Sequence, residues 1–515
     1  MTRLEKLTLA VFAALALVLR AVALFRYRFD SDEQQHLHVA WGWTAGLVQY
    51  RDLFDNHAPL FHMLAAPLLA LIGERSDVLL WMRLPMLLLF GVALWATFAI
   101  ARKVYDERVA AGAVVLLALF PPFFLKSLEF RNDNLWTALW MLALMALMRR
   151  RMILAGVLLG AALAVSLKTA LLVIALVVAG AVVLIFRKER IVDAPRRIAA
   201  GFVLIPAAVA IFFASMGAWD ELVFCNFTFN GNFARTRPHL WIGRAAFPVM
   251  FGAFLWLAWR FRGAQDRWRY FLTIVIGVFT ITLVGFWPLI SPRDFLPMMP
   301  LAAMFVAASL TRAANPVRAF AITAALCVAA LYYYADRFEN NTDWHITMMD
   351  QTLRLSHPGE PLIDHKGETI YRRRPFYYAF EIATRTLIAR GVIRDSVAED
   401  VIRTRTHVAQ ADGAMWPPHG RAFLNENFLN MGRLRASGQW IAEDGTFTIA
   451  VPGEYVIVSE HGEARGVLDG SPYAGARELG AGPHRFVGGE KKVAVLSAPA
   501  FRRGHSPFHL RDLEF

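Results

Sequence analysis

The chain has few cysteines and few charged residues for its length. Its 515 residues include two cysteines, Cys225 and Cys327, which indicate neither a disulfide framework nor a thiolate metal site. Charged residues make up 18% of the sequence, whereas about a quarter is usual in soluble domains. The net charge is +13, but no nucleic-acid-binding motif accompanies it. These shortages exclude a disulfide-stapled secreted domain and argue against a soluble nucleic-acid-binding protein.

Hydrophobic residues make up 57% of the chain and form long runs in its first two thirds. Such runs predict a polytopic α-helical membrane protein with about eleven transmembrane helices. The first run, near residues 7–25, is interpreted as a signal anchor that is retained, although Ala21-Val22-Ala23 resembles a cleavage site. The other spans are predicted near residues 77–101, 108–127, 134–149, 151–167, 169–186, 197–215, 242–260, 270–290, 295–311 and 318–335.

Basic residues are concentrated in five of the loops between these runs, and this asymmetry predicts the orientation. By the positive-inside rule these loops face the cytoplasm, so the first loop and the last third of the chain face the periplasm or exterior. The apolar segment at residues 58–72 is short for a spanning helix and is interpreted as a surface or re-entrant helix. We therefore expect a multi-pass protein of the bacterial inner membrane. The basic loops hold Arg102, Lys103 and Arg108; Arg149, Arg150 and Arg151; Arg187, Lys188, Arg190, Arg196 and Arg197; Arg260, Arg262, Arg267 and Arg269; and Arg312 and Arg318.

The first outer loop combines carboxylates with imidazoles at a density that an ordinary membrane loop does not need. These groups transfer protons or hold metals near neutral pH. The alternative is a solvated loop with aromatic residues at the membrane interface. The ionisable residues concerned are Asp30, Asp32, Glu33, His36, His38, Asp52, Asp55, His57 and His62.

Further ionisable residues lie at the predicted outer ends of later spans. Arg131 and Asp133 lie after the third span, Lys168 lies between the fifth and the sixth, and Arg293-Asp294 lies between the ninth and the tenth. Ionisable groups at membrane depth are costly and usually face a polar cavity. The simpler interpretations are a surface ion pair, a snorkelling lysine and a structural ion pair, respectively. Together with the first loop, these groups suit a reaction that activates a hydroxyl and neutralises a departing phosphate.

The order and spacing of these groups resemble the GT-C glycosyltransferases. The most similar groups are the protein O-mannosyltransferases and the bacterial transferases that attach aminoarabinose to lipid A. The resemblance covers residues 1–335, in which Asp32-Glu33 matches the acidic pair of the family's first loop. In the phosphate-contacting stretch of that loop, His57 and Ala58 replace the Lys and the first Pro of the family pattern.

This resemblance implies an inverting enzyme that takes a sugar from a polyprenyl-phosphate donor. It implies that Asp32 is the catalytic base and that Glu33 is a second catalytic residue, which orients the loop. It also implies that three cations bind the donor phosphate and that two carboxylates can hold a divalent metal, Mg or Mn, which the reaction does not require. The second of these carboxylates can instead hold the loop. The implied phosphate-binding residues are His57, Lys168 and Arg293, the implied metal ligands are Asp32 and Asp133, and Arg131 and Asp55 complete the site.

The sequence predicts three regions. Residues 1–335 form a transmembrane GT-C catalytic domain with a long first outer loop at residues 26–76, and residues 336–420 form an extracytoplasmic α/β segment. Residues 421–515 show short alternating strands with Gly-rich turns, which predict an extracytoplasmic β-sandwich-like domain. This last region either binds the acceptor or the sugar, or serves as an inert lid or assembly domain.

Two functions from different classes fit these features. The first is a membrane glycosyltransferase that transfers a sugar to a lipid, glycan or protein acceptor on the extracytoplasmic face. The alternative is a lipid or sugar transporter or flippase with an extracytoplasmic β domain. Transporters tend to show repeated halves and polar breaks near the bilayer midplane. This sequence shows no clear internal repeat, and its ionisable residues cluster at span ends, which favours the enzyme.

The predicted topology can be tested with reporter fusions. A reporter fused after Arg190 or Arg267 is expected to lie in the cytoplasm, and one fused after Gly420 is expected to lie outside, because the intervening spans fix the parity. The measurement is the activity of a reporter that works on one side of the membrane. A cytoplasmic signal from the Gly420 fusion would show that the orientation is wrong.

Overall fold

Apolar α-helices form the first two thirds of the protein. The structure is a computed structural model that describes residues 1–263, 266–411, 413 and 415–510. A π-helical turn at Phe224–Phe229 and a 3₁₀ turn at Pro292–Phe295 interrupt the α-helical pattern. The α-helices of this part are α1 (Arg3–Arg26), α2 (Ser31–Thr44), α3 (Leu60–Ile72), α4 (Val78–Met82), α5 (Leu84–Val104), α6 (Glu107–Leu119), α7 (Pro121–Lys126), α8 (Asn132–Met148), α9 (Met152–Val165), α10 (Thr169–Arg187), α11 (Pro195–Ser215), α12 (Trp219–Val223), α13 (Asn230–Ala234), α14 (His239–Arg260), α15 (Arg267–Phe286), α16 (Met299–Leu310) and α17 (Pro316–Tyr334).

Seven helical segments of the described residues are long and apolar enough to cross a membrane. They are α1, the continuous pair α4–α5, α10, α11, α14, α15 and α17. The shorter helices α6, α8, α9 and α16 occupy the remaining positions at which the sequence predicts spans. A helix is therefore found at each of the eleven predicted positions, and the prediction of a polytopic helical membrane protein is confirmed.

The helices alternate in direction, so that their connecting loops gather at two ends of the bundle. At one end Lys103 Nζ donates to the carbonyl oxygen of Met148 at 2.6 Å. At the same end Arg269 Nε donates to the carbonyl oxygen of Val104 at 3.1 Å. These contacts join three of the five basic loops, which therefore lie together at one end of the bundle.

The first loop folds into α2 and α3, which pack against each other. Helix α2 begins with a capping box, in which the Glu33 side chain accepts the backbone N–H of Asp30 at 2.8 Å. Helix α3 has 13 residues, contains Pro67, and ends at Gly73. Its length agrees with the predicted surface or re-entrant helix, because a spanning helix needs about 20 residues.

After residue 335 the chain forms short helices and two β-sheets. A 3₁₀ turn at Asp336–Phe338 leads out of α17. The helices of this part are α18 (Asp343–Leu355), α19 (Ile382–Ala389), α20 (Val397–Thr404), α21 (Pro418–Asn427) and α22 (Ala498–Arg502). The strands are β1 (Val408–Gln410), β2 (Phe428–Asn430), β3 (Leu434–Trp440), β4 (Thr446–Ile449), β5 (Gly453–Ser459), β6 (Gly462–Glu463), β7 (Gly466–Leu468), β8 (Ser471–Tyr473), β9 (Arg477–Leu479), β10 (Gly482–Gly488) and β11 (Ala494–Ser497).

The strands form two antiparallel sheets that share one hydrophobic core. One sheet has the order β1-β3-β11-β5-β6, with β2 beside β3 and β9 beside β5, and the other has the order β4-β10-β7-β8. Phe447, Leu468 and Phe486 of the second sheet pack with Ile457 and Val495 of the first. Two sheets joined by their inner faces make a sandwich, so the predicted C-terminal β region is confirmed.

The segment between the membrane helices and the sandwich differs locally from the prediction. The sequence pattern predicts a helix at residues 376–390, but α19 is shorter, and Phe376 and Phe380 pack against Trp416 before it begins. The pattern also predicts a short strand at residues 361–364, where the structure has only an isolated bridge between Ile363 and Ala409. The boundary near residue 420 stays a prediction, and strand β1, before that boundary, pairs with β3 after it.

Glycines allow α9 and α11 to approach closely. A Cβ atom on Gly156 would collide with the carbonyl oxygen of Ile198, and one on Gly160 would collide with that of Phe202. In membranes, small residues spaced in this way let two helix backbones pack against each other.

Replacing Gly160 tests this packing. Gly160→Ala is expected to destabilise the protein by about 1–3 kcal/mol, because the added methyl group overpacks the contact. The measurement is the thermal unfolding temperature in detergent. The matched control is Gly91→Ala in α5, where a Cβ atom meets nothing within 4 Å. Equal unfolding temperatures for the two variants would contradict the close packing.

Candidate active site

A polar cavity of about 360 Å³ lies at the end of the helix bundle that is far from the basic loops. The first loop, the ends of the membrane helices and the C-terminal third meet there. Of the residues predicted to form a site, all but Glu33 and Asp55 line it. The structure therefore brings together groups from five separate parts of the sequence. The ionisable residues of the wall are Asp30, Asp32, His57, Arg131, Asp133, Lys168, Arg293, Asp294, Lys366 and Glu381.

The carboxylate of Asp32, in the first turn of α2, contacts three cations. Lys366 Nζ donates to Oδ1 at 2.5 Å, and Arg293 Nη1 donates to Oδ2 at 2.7 Å. Arg131 Nη1 donates to Oδ2 as well. Burial opposes ionisation of Asp32, but Arg131, Lys366 and Arg293 hold its pKa well below its usual range. Asp32 is thus a firmly ionised carboxylate and, in this arrangement, a weak base.

Lys168 lies between two carboxylates at the cavity wall. Its Nζ donates to Asp133 Oδ1 at 2.7 Å and to Asp294 Oδ1 at 2.6 Å. The lysine side chain is 12% exposed and lies beside the ring of Trp136. These contacts direct the ammonium group into the cavity wall and not toward lipid headgroups.

Glu33 lies behind the cavity wall and does not line it. Arg83 donates to both of its carboxylate oxygens, at 2.9 and 2.6 Å, and both side chains are fully buried. The backbone N–H of Phe130 also donates to this carboxylate, at 2.8 Å. Successive residues of an α-helix point about 100° apart, and here Asp32 faces the cavity while Glu33 points toward buried Arg83. The contacts of Glu33 are those of a residue that positions the loop.

A buried network of polar side chains supports His57. Asp55 Oδ1 lies 2.7 Å from His57 Nδ1, and Gln49 Nε2 donates to Asp55 Oδ2 at 2.7 Å. Although burial of His57 opposes its protonation, the Asp55 carboxylate raises its pKa above the ordinary value. The Asp55 carboxylate therefore stabilises the protonated form of the ring, which lies between Asp55 and the cavity.

Sequence reasoning missed Lys366, which reaches Asp32 from the C-terminal third. Its loop is held by two carboxylates: the backbone N–H of Gly367 donates to Asp364 at 2.8 Å, and that of Lys366 donates to Glu368 at 2.8 Å. These hydrogen bonds fix the backbone that carries the ammonium group. The density of ionisable residues at positions 364–368 is the signal that could have found it.

Glu381 is the second wall residue that the sequence reasoning missed. It directly precedes α19, and its Oε1 accepts a hydrogen bond from Asn56 Nδ2 at 2.6 Å. Burial raises its pKa to about 7, although His57 and Lys366 oppose the shift. Nothing in the sequence distinguishes Glu381 from the other glutamates between the membrane helices and the sandwich.

The predicted metal pair is separated by a guanidinium group. Arg131 contacts Asp32 through Nη1, and its Nε lies 3.3 Å from Asp133 Oδ2. Within the described part of the chain, no group of three or more His, Cys, Asp or Glu residues is arranged to hold a metal ion. A divalent cation would have to displace Arg131, so the residues do not fit the predicted Mg or Mn site.

Comparisons with known proteins identify the fold. A family model described as dolichyl-phosphate-mannose-protein mannosyltransferase matches residues 56–216. Two crystal structures of ArnT from Cupriavidus metallidurans are similar to this chain, one in the apo state and one bound to undecaprenyl phosphate. Their TM-scores are 0.53 and 0.54 at 13% and 14% identity, and each comparison covers 83% of this chain and 97% of ArnT.

A third similarity is weaker, and no curated protein sequence matches the chain. The archaeal oligosaccharyltransferase AglB from Archaeoglobus fulgidus, in complex with an inhibitory peptide and a dolichol-phosphate, gives a TM-score of 0.44 at 12% identity. That comparison covers 99% of this chain and 78% of AglB.

The chain shares its fold with ArnT. The similarity extends over nearly all of ArnT and over most of this chain, including part of the C-terminal third. The resemblance to GT-C glycosyltransferases that the first loop predicts is therefore confirmed, as is the predicted fold class. The chain is a multi-pass membrane protein.

Removing the Glu33 carboxylate tests its structural position. Glu33→Gln is expected to lower the folded yield and the thermal unfolding temperature, since it leaves the buried Arg83 guanidinium without a carboxylate. Breaking a buried ion pair costs about 3–5 kcal/mol. The control is Glu454→Gln, which breaks an exposed pair with Arg502 and should leave the unfolding temperature nearly unchanged, because exposed ion pairs contribute little. Equal stability of the two variants would contradict the buried pair.

Proposed function

We propose that this protein is a GT-C glycosyltransferase that transfers a sugar from a polyprenyl-phosphate donor to an acceptor hydroxyl. The observation that carries the proposal is the meeting of Arg131, Arg293 and Lys366 on Asp32, inside a fold shared with ArnT. Cations held at a cavity wall by a carboxylate can contact a phosphate when one enters. Asp32 itself would then lie beside the sugar that the phosphate carries.

Arg293 and Lys366 are the best-placed ligands for the donor phosphate. Arg293 contacts Asp32 through Nη1, while its buried Nε has no hydrogen-bond partner among the described residues. Lys366 has three N–H donors and uses one of them on Asp32. Charge-assisted hydrogen bonds to phosphate are strong. Lys168 and His57 add positive charge to the same wall and complete the proposed phosphate site.

Asp32 lies where charge develops during the transfer. Displacement at an anomeric carbon passes through a transition state with positive charge on the sugar ring. An ionised Asp32 stabilises that charge, while the neighbouring cations stabilise the negative charge of the departing phosphate. Direct attack by the acceptor oxygen inverts the anomeric centre. For Asp32 to act also as the base, as the sequence predicts, the cations would first have to move onto the phosphate.

The comparisons support the donor class. A crystal structure of ArnT with the same fold holds undecaprenyl phosphate, and the matching family model is named for dolichyl-phosphate-mannose. Both compounds are polyprenyl phosphates. We infer that a polyprenyl phosphate carries the sugar here too, and that a lipid, glycan or protein supplies the acceptor hydroxyl.

The distribution of charge supports an outward-facing site in the bacterial inner membrane. The basic loops joined through Lys103 and Arg269 lie at one end of the helix bundle. The cavity lies at the other end, together with the C-terminal third. Basic loops face the cytoplasm, so this arrangement supports a reaction on the extracytoplasmic side.

The proposed phosphate contact can be tested by replacing Lys366. Lys366→Met is expected to weaken binding of undecaprenyl phosphate about tenfold to a hundredfold, because a hydrogen bond to a charged group contributes about 1.5–3 kcal/mol. The measurement is a binding titration with the full-length protein in nanodiscs. The same samples are assayed for release of undecaprenyl phosphate from a panel of undecaprenyl-phosphate hexoses and pentoses.

The matched control is Arg354→Met, which removes an exposed cation on α18, 61% accessible, from the same part of the chain. Its binding should equal that of the parent protein. Parent-like binding and transfer by the Lys366→Met variant would remove Lys366 from the site. A parent protein that consumes none of the donors would contradict the glycosyltransferase proposal itself.

A further inference from the structure

Glu381 has one carboxylate oxygen free at the cavity. Its Oε1 accepts from Asn56 Nδ2 at 2.6 Å, whereas Oε2 accepts no hydrogen bond from the described residues. Glu381 lines the same cavity as Asp32 and Lys366. Asn56 belongs to the first loop, so the loop fixes the direction of a carboxylate that the C-terminal third supplies.

Asp32 and Glu381 differ in the groups that surround them. Asp32 contacts Lys366, Arg131 and Arg293 directly, whereas Glu381 contacts the neutral amide of Asn56 and no cation at ion-pair distance among the described residues. A carboxylate paired with several cations holds its charge and resists protonation. A carboxylate with one free oxygen and a neutral partner accepts a proton more readily.

We propose that Glu381 is the general base that takes the proton from the acceptor hydroxyl, while Asp32 stays ionised and holds the cations. This inference rests on the proposed glycosyl transfer. In the step, the acceptor O–H bond breaks and its proton moves to Glu381 Oε2. The acceptor oxygen forms a bond to the anomeric carbon, and the bond from that carbon to the phosphate oxygen breaks, so the electron pair leaves on the phosphate.

The charges around Glu381 suit a base that works near neutral pH. Its pKa is raised to about 7 by burial, and the carboxylates of Asp32 and Asp55 act in the same direction. The cations that face it, His57, Lys366 and Arg374, oppose the rise. A general base is most effective when its pKa lies near the working pH. Because the base must be ionised, the rate should rise with pH through about 7.

The test compares Glu381→Gln with the parent protein. Gln keeps an oxygen that can accept the Asn56 hydrogen bond, but it cannot take a proton. Turnover should fall about 10²- to 10⁴-fold, the usual contribution of a general base. Binding of undecaprenyl phosphate should stay within about twofold of the parent, and the acid limb near pH 7 in the pH–rate profile should disappear. Glu399→Gln, on the exposed surface of α20, is the matched control and should keep both the rate and the limb.

Asp32→Asn separates the two carboxylates. This variant should be slow because its cations lose their anchor, but its remaining activity should keep the acid limb. The inference is overturned if Glu381→Gln keeps the limb or loses less than about tenfold in turnover. It is also overturned if the limb disappears in Asp32→Asn and not in Glu381→Gln.

Infrared spectroscopy provides a readout that needs no sugar donor. In the parent protein, part of the protonated-carboxyl band should titrate near pH 7, and that part should shrink in Glu381→Gln. The remainder should persist, because burial raises the pKa of Glu129 to about 7 as well. A parent protein that shows this titration but consumes no undecaprenyl-phosphate sugar would contradict the glycosyltransferase proposal. An unchanged band in Glu381→Gln would contradict the assignment of the base.

Discussion

The ion pairs on Asp32 are the interaction on which the site depends. They join the first loop to Arg131, to Arg293 and to Lys366, which is 334 residues away in sequence. Charges taken out of water are stable only when each has its partner. The charge of Asp32 is therefore stable only when the ends of several membrane helices and a loop of the C-terminal third bring their cations to it. Asp32 and its three cations line the cavity and leave its interior open.

The same requirement explains the surroundings of α2. Asp32 can present its carboxylate to three cations only if the start of that helix is fixed. Glu33 fixes it by accepting the Asp30 backbone N–H and by pairing with buried Arg83. The two neighbouring acidic residues thus have different roles, since Asp32 points into the cavity and Glu33 points into the protein interior. A pair that looks like one motif in sequence has two physical roles.

This division shows what the sequence could and could not predict. The sequence predicts Lys168 and Arg293 as site residues, because an ionisable residue at the end of an apolar run usually faces a polar cavity. The separation of Glu33 from the cavity depends on helix direction, which a loop of unknown secondary structure does not reveal. Glu381 could not be placed at the site, because long-range contacts of a polar segment leave no periodic pattern in the sequence, and Lys366 is marked only by the ionisable residues around it.

The C-terminal third supplies part of the site and is not only a cover over it. Lys366 and Glu381 both come from the segment between the membrane helices and the sandwich, and no described wall residue follows Met415. The sandwich therefore acts at a distance from the cavity. It holds that segment through strand β1, whose Ala409 bridges to Ile363 just before the loop that carries Lys366. On this arrangement the sandwich sets the position of a cation and a carboxylate, the two groups proposed to act on the substrate.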